Sequence, residues 1–113
     1  MEKANEMSDY NQSQYRLILA QLVEFEEGTL SLHSLVPDIQ EPFRNLVGEE
    51  EAWKKRFMEH WRVLDQISSA ETYRGYRGFL GNEEADALHA VAALRAMTQD
   101  RIDTPMDPNS PLS

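Results

Sequence analysis

Three histidines and twenty carboxylates are the groups in this chain able to support acid–base or metal chemistry. His33, His60 and His89 are far apart, and none has a histidine or carboxylate partner at a ligand spacing such as H-E-x-x-H. A metal site would need convergence in three dimensions; a packed or solvated histidine satisfies each position without it. The carboxylates fall in groups: Glu24 with Glu26 and Glu27, the run Glu49 to Glu51, and Glu83 with Glu84. Acid–base catalysis needs carboxyls in a cleft whose surroundings split their pKa values. These groups fall at helix ends instead, where charge has a structural reason to be. The chain has no EF-hand loop, phosphate-cradling glycine motif or nucleophile elbow. The expectation is a protein that is not an enzyme and uses no cofactor and no metal.

The elements that carry these groups read as helices throughout. Tyr15, Ile18, Leu19, Leu22 and Val23 form one apolar stripe, which predicts a helix from Asn11 to Glu27, ended by Gly28. Residues 29–47 contain Leu32, Leu35, Val36, Ile39, Phe43 and Leu46 at helical spacing, with Ser31 or Ser34 as cap. Pro37 suits the first turn of a helix capped at Ser34, whereas Pro42 predicts a break into two short pieces. A third helix is expected from Glu49 to Thr72, with its three glutamates in the first turn. Trp53, Phe57, Trp61 (or His60), Leu64 and Ile67 would form its buried face. Three aromatics spaced by four are expected to fill the core, although exposed tryptophans would anchor a partner. Asn82 predicts the cap of a fourth helix that runs to Arg101, with Ala85, Leu88, Val91, Ala92, Leu94 and Met97 facing inward. The fold class is therefore all-α: a compact antiparallel bundle of about four main helices, the second broken by proline. Residues 1–9 are expected to be a flexible N-terminus, 10–102 a single helical domain, and 103–113 a disordered tail.

Composition narrows the partners. The formal charge is −9, from 11 basic and 20 acidic residues, which disfavours nucleic acid and anionic membranes and favours a basic partner. Cysteine is absent, so disulfides and thiolate chemistry are excluded. No apolar run approaches the ~20 residues of a membrane span, and the first residues lack a hydrophobic signal segment, so the expected compartment is the cytoplasm.

The tandem triplets of "YRGYRGFLG", residues 73–81, carry two bases and no acid. Arg74 and Arg77 are too few for a nucleic-acid footprint. In an antiparallel bundle this connection lies at the same end as the one after the first helix. Arg74 and Arg77 are then expected to pair with Glu24, Glu26, Glu27, Glu83 and Glu84, while Tyr73, Tyr76 and Phe79 close over the core.

Two segments carry a family resemblance. "YRLILAQLVEFEEGTLSLHSLVPDI" (residues 15–39) and "WKKRFMEHWRVLDQI" (residues 53–67, a W-x3-F-x3-W-x2-L-[DE] helix) resemble small bacterial proteins. Several of these look like immunity proteins of contact-dependent growth inhibition and related polymorphic toxin systems. The resemblance spans residues 14–98; Pro42 and the Tyr-Arg-Gly connection depart from it. It implies a monomeric cytoplasmic inhibitor that occludes a cognate toxin domain, many of which are basic nucleases. An acidic surface suits such a target. The residues expected to meet it are Glu24, Glu26, Glu27, Tyr76, Arg77, Glu83, Glu84 and Asp86. The alternative is another helical binding module, an adaptor, regulator or homodimer subunit.

Overall fold

A computed structural model describes residues 2–75 and 78–104, with side chains from residue 9 onward. Four helices account for nearly all of them, and no strand occurs among the described residues: α1 Glu2–Glu26, α2 Leu32–Arg44, α3 Glu51–Tyr73 and α4 Glu83–Asp103. α1 packs against α2 and α4, and α3 packs against the same two, so the helices stand in a ring in chain order. Short connections make ring neighbours antiparallel. At one end, Asn11 brackets Val47 with two hydrogen bonds (2.7 and 3.0 Å) and Gln12 Nε2 donates to the Arg101 carbonyl (2.9 Å). The α1–α2 and α3–α4 connections share the other end.

α1 is longer than its apolar stripe predicts. Of the segment expected to be flexible, residues 1–9, the part from Glu2 onward is helical. It contains no glycine or proline, and a formed helix adds residues at little cost where nothing interrupts it. Tyr15, Ile18 and Leu22 are buried, with Leu19 and Val23 at the margin. Gly28 ends the helix as expected. At φ +84° it lets the Gly28 N–H reach the Phe25 carbonyl (3.1 Å) and the Thr29 N–H reach Glu24 (2.9 Å), a Schellman pair.

α2 is one helix, not two. Ser31 is its cap, its hydroxyl accepting from the Ser34 N–H (3.2 Å), so Pro37 lies in the second turn rather than the first. Pro37 and Pro42 each omit one intrahelical bond, yet the helix continues through both. Leu32, Leu35, Val36 and Ile39 are buried on one face, and Pro42 is itself buried beside them. Full burial of a Leu or Ile is worth about 1.5–3 kcal/mol, and several of these outweigh a proline's penalty of about 3 kcal/mol.

α3 supplies the large residues. Phe57 stacks on Phe43 of α2 (4.5 Å between centroids) and lies 5.3 Å from Trp53. Trp53 meets Tyr15 of α1 edge-on at 5.8 Å, across the ring of helices. Trp53 is thus core, as expected, whereas Trp61 is half-buried and donates from Nε1 to the Val36 carbonyl (2.9 Å). The helix starts later than expected: Glu50 is its cap residue and Glu49 precedes it.

α4 begins at Asn82, as expected, but the Asn82 side chain makes no cap bond. Its inward face differs from the expected one. Ala87, Ala90, Val91, Leu94 and Thr98 are buried, while Ala85, Leu88 and Ala92 are exposed. Small residues at 87 and 90 let the first half of α4 pack closely into the bundle, and that gain decides which side turns inward despite the exposure of a leucine. Asp103 and Thr104, expected in the tail, are the last residue of α4 and its cap; the remaining 105–113 lie outside the described residues.

Candidate partner-binding surface

The expected acidic residues do not form one cluster. Glu83 turns back onto the α3–α4 connection. Arg74 Nη2 and Nη1 donate to its carboxylate (2.7 and 3.2 Å), Arg74 Nη2 also reaches the Gly78 carbonyl (2.9 Å), and the Leu80 N–H donates to Glu83 (2.9 Å). These bonds, from Arg74 first and Leu80 second, hold the Glu83 carboxyl below its ordinary pKa. Arg74 is therefore held internally, as expected, but by Glu83 rather than by the acids of α1. Glu26 is used elsewhere, accepting from Arg95 Nη1 (2.7 Å) across the α1–α4 seam.

Glu24, Glu27, Glu84 and Asp86 are exposed and enter no ion pair among the described residues. Glu84, Leu88 and Arg95 recur at i, i+4 and i+11 and so share one face of α4, the face that Arg95 turns toward α1. Asp86, two residues beyond Glu84, points to a different side. Leu88 is 44% exposed and Leu80 55%, which places apolar surface beside Glu84 at this end. Tyr76 and Arg77 lie outside the described residues. Phe79 packs on the core, but Tyr73, expected to close over it, is 94% exposed: it is the last residue of α3, and its ring leaves the bundle.

A second polar constellation was not expected. The Glu49 side chain is fully covered, in the α2–α3 connection. It accepts from the Tyr15 hydroxyl, from Arg101 Nε (3.0 and 3.2 Å) and Nη2 (3.0 Å), and from the Glu50 N–H (2.8 Å). Arg101 also reaches Glu50 (2.6 Å) and lies 5.4 Å from the centre of the Trp53 ring. Burial, then the hydrogen bond and charge of Glu49, hold the Tyr15 phenol well above its ordinary pKa. Burial alone would lower the Arg101 pKa; its bonds to Glu49 and Glu50 more than offset that. A carboxylate with every oxygen engaged and no access to solvent serves to join elements, here α1, α3 and α4. Nothing in the sequence separated Glu49 from Glu50 and Glu51, since all three suit a helix N-terminus. Arg101 likewise suited a C-terminus.

His33, His60 and His89 sit on three different helices, and no three of His, Asp or Glu converge in a metal-binding geometry among the described residues. No described helix is long and apolar enough to cross a membrane. No known family model, curated protein or solved structure matches the chain. The surface itself is what bears on function.

Proposed function

We propose that this protein is an immunity-type inhibitor that binds a basic, nuclease-type toxin domain in the cytoplasm and covers its active site. The observation that carries the reading is Leu88, which stands exposed on the same face of α4 as the unpaired Glu84. An apolar anchor next to free carboxylates is the chemistry a basic protein surface accepts: the leucine supplies buried area, and the acids steer and orient the approach. The −9 formal charge supports the same partner and opposes a phosphate backbone. The resemblance of residues 15–39 and 53–67 to immunity proteins agrees with it.

In this reading Glu84 and Leu88 make the central contact, and Glu27, Glu24 and Asp86 extend a carboxylate rim around the same end. Glu26 and Glu83 act indirectly, by holding Arg95 and the α3–α4 connection. An adaptor that docks through exposed tryptophans is less favoured, because Trp53 is buried and Trp61 is tied to Val36.

Co-expression with the toxin domain encoded upstream tests the proposal. The expected result is restored growth and co-purification, both lost with Glu84→Lys/Leu88→Lys. Restoration that survives this double substitution would move the contact to another face, and absence of rescue by the unaltered chain would end the inhibitor reading.

A further inference from the structure

The α2–α3 seam carries surface of the opposite character. Phe43 of α2 and Met58 of α3 line an open groove, with Lys54, Lys55 and Arg62 along its rim. Glu51 is engaged by Lys54 (3.0 Å). That leaves Lys55 and Arg62, which enter no ion pair among the described residues, against Glu59. Arg44 extends the row. It follows His33 and Pro37 at helical spacing, those two line the same seam further along, and Arg44 is also unpaired. In a chain with 20 acids, Arg74, Arg95 and Arg101 are each taken by an internal carboxylate, but these cations are not.

We infer that this groove receives the Glu84–Leu88 face of a second copy of the chain, so that the protein self-associates head to tail. The two surfaces match in kind: Leu88 fits the apolar floor of Phe43 and Met58, and Glu84 meets Lys55 and Arg62. They also lie toward opposite ends of the bundle, since Arg44, Lys54 and Lys55 flank the α2–α3 connection and Glu84 follows the α3–α4 connection. The groove lies on the α2–α3 seam and the Glu84–Leu88 face turns toward α1, across the ring of helices, so one two-fold contact cannot engage both and the interface is heterologous. The −9 charge of each copy opposes approach, but beyond ~8 Å it is screened at physiological salt and the local match governs. This departs from the monomer that the family resemblance implies. It does not rest on the toxin reading, although one patch would serve both partners and the two associations would compete.

Sedimentation of the full chain tests it, and the heterologous geometry provides a decisive mixture. The mass of the unaltered chain should rise with concentration up to about 1 mM. Lys55→Glu/Arg62→Glu removes the groove and Glu84→Lys/Leu88→Lys removes the patch. Each should weaken association by at least about tenfold. Mixed one to one, the first contributes an intact patch and the second an intact groove, so a dimer forms that cannot grow further. Melting curves establish that both variants are folded, and Lys55→Gln/Arg62→Gln with Leu88→Ser replace them if either is not. A chain that stays monomeric, association indifferent to the substitutions, or folded variants that fail to pair would each overturn the inference. The groove variant should still neutralise a toxin domain, so the two readings fail separately.

Discussion

Arg101, in the last turn of α4, grips Glu49 of the α2–α3 connection through Nε and Nη2 at 3.0–3.2 Å, with its guanidinium over the Trp53 ring. The two are 52 residues apart in sequence. Their pairing joins the end of α4 to the turn that opens α3, and Tyr15 adds α1 to the same carboxylate. A single residue thus ties three helices together at the end where Asn11 and Gln12 also bind.

Removing one partner should be far worse than removing both. Glu49→Ala leaves Arg101, whose side chain is only 14% exposed, without its main counter-charge, and should cost about 3–5 kcal/mol. Replacing the set with apolar residues of similar volume, Tyr15→Phe/Glu49→Leu/Arg101→Met, should recover most of that loss, because desolvation of the ions disappears along with their attraction. Urea denaturation of the single and triple variants measures both. A triple variant no more stable than Glu49→Ala would mean that the ions stabilise the fold outright.

Tyr15 gives the same node an alkaline limit. Its phenol is raised above the ordinary value near 10, so the folded state keeps a proton that the unfolded state releases. The stabilisation is complete below pH ~10 and is lost as pH rises toward the folded value, at up to about 1.4 kcal/mol per unit. Tyr15→Phe should be less stable at neutral pH by about 1.5–3 kcal/mol, the worth of a hydrogen bond to a charged acceptor. The two proteins should then converge above pH ~10. Parallel stability curves from pH ~8 to ~11.5 would show that Tyr15 ionises normally when folded.

The sequence was most informative where one helix alone determined the answer. Tyr15, Ile18 and Leu22, or Trp53, Phe57 and Leu64, mark a buried stripe without reference to any neighbour. It was least informative where two elements decide together. Leu88 looked like core, but Ala87 and Ala90 take the inner face, where small side chains let the helices close up. Pro42 looked like a break, but burial of its own ring and of Ile39 keeps α2 continuous. Of the expected contact residues, Glu84, Glu24, Glu27 and Asp86 are free on the surface, while Glu26 and Glu83 are consumed by arginines whose positions only the folded chain reveals.

The register of α4 can be tested by size alone. Ala90→Leu inserts three carbons into a closed interface and should destabilise by about 1–3 kcal/mol. Ala92→Leu, on the exposed side, should stay within about 0.5 kcal/mol of the parent. The expected sequence-based face, with 85, 88 and 92 inward, requires the reverse order. Thermal melts of the two variants therefore decide between them.

Arg74 and Glu83 determine what the first Tyr-Arg-Gly triplet does. Their pairing spans the connection, and Glu83 also takes the Leu80 N–H, so the arginine acts as an internal strap. Because the folded carboxyl is held below its ordinary value of 4.5, its contribution is present above that pH and is lost as pH falls through the lower, folded value. An NMR titration of the Glu83 carboxyl should give a midpoint below 4.5 in the parent and one shifted upward in Arg74→Gln. The Leu80 amide shift should follow the same midpoint. Far-UV circular dichroism of Arg74→Gln should remain that of a helical bundle, since the substitution touches no core residue. A midpoint indifferent to Arg74→Gln would assign the low value to the Leu80 N–H alone, and loss of helicity would make the arginine a requirement of the fold rather than a strap on one connection.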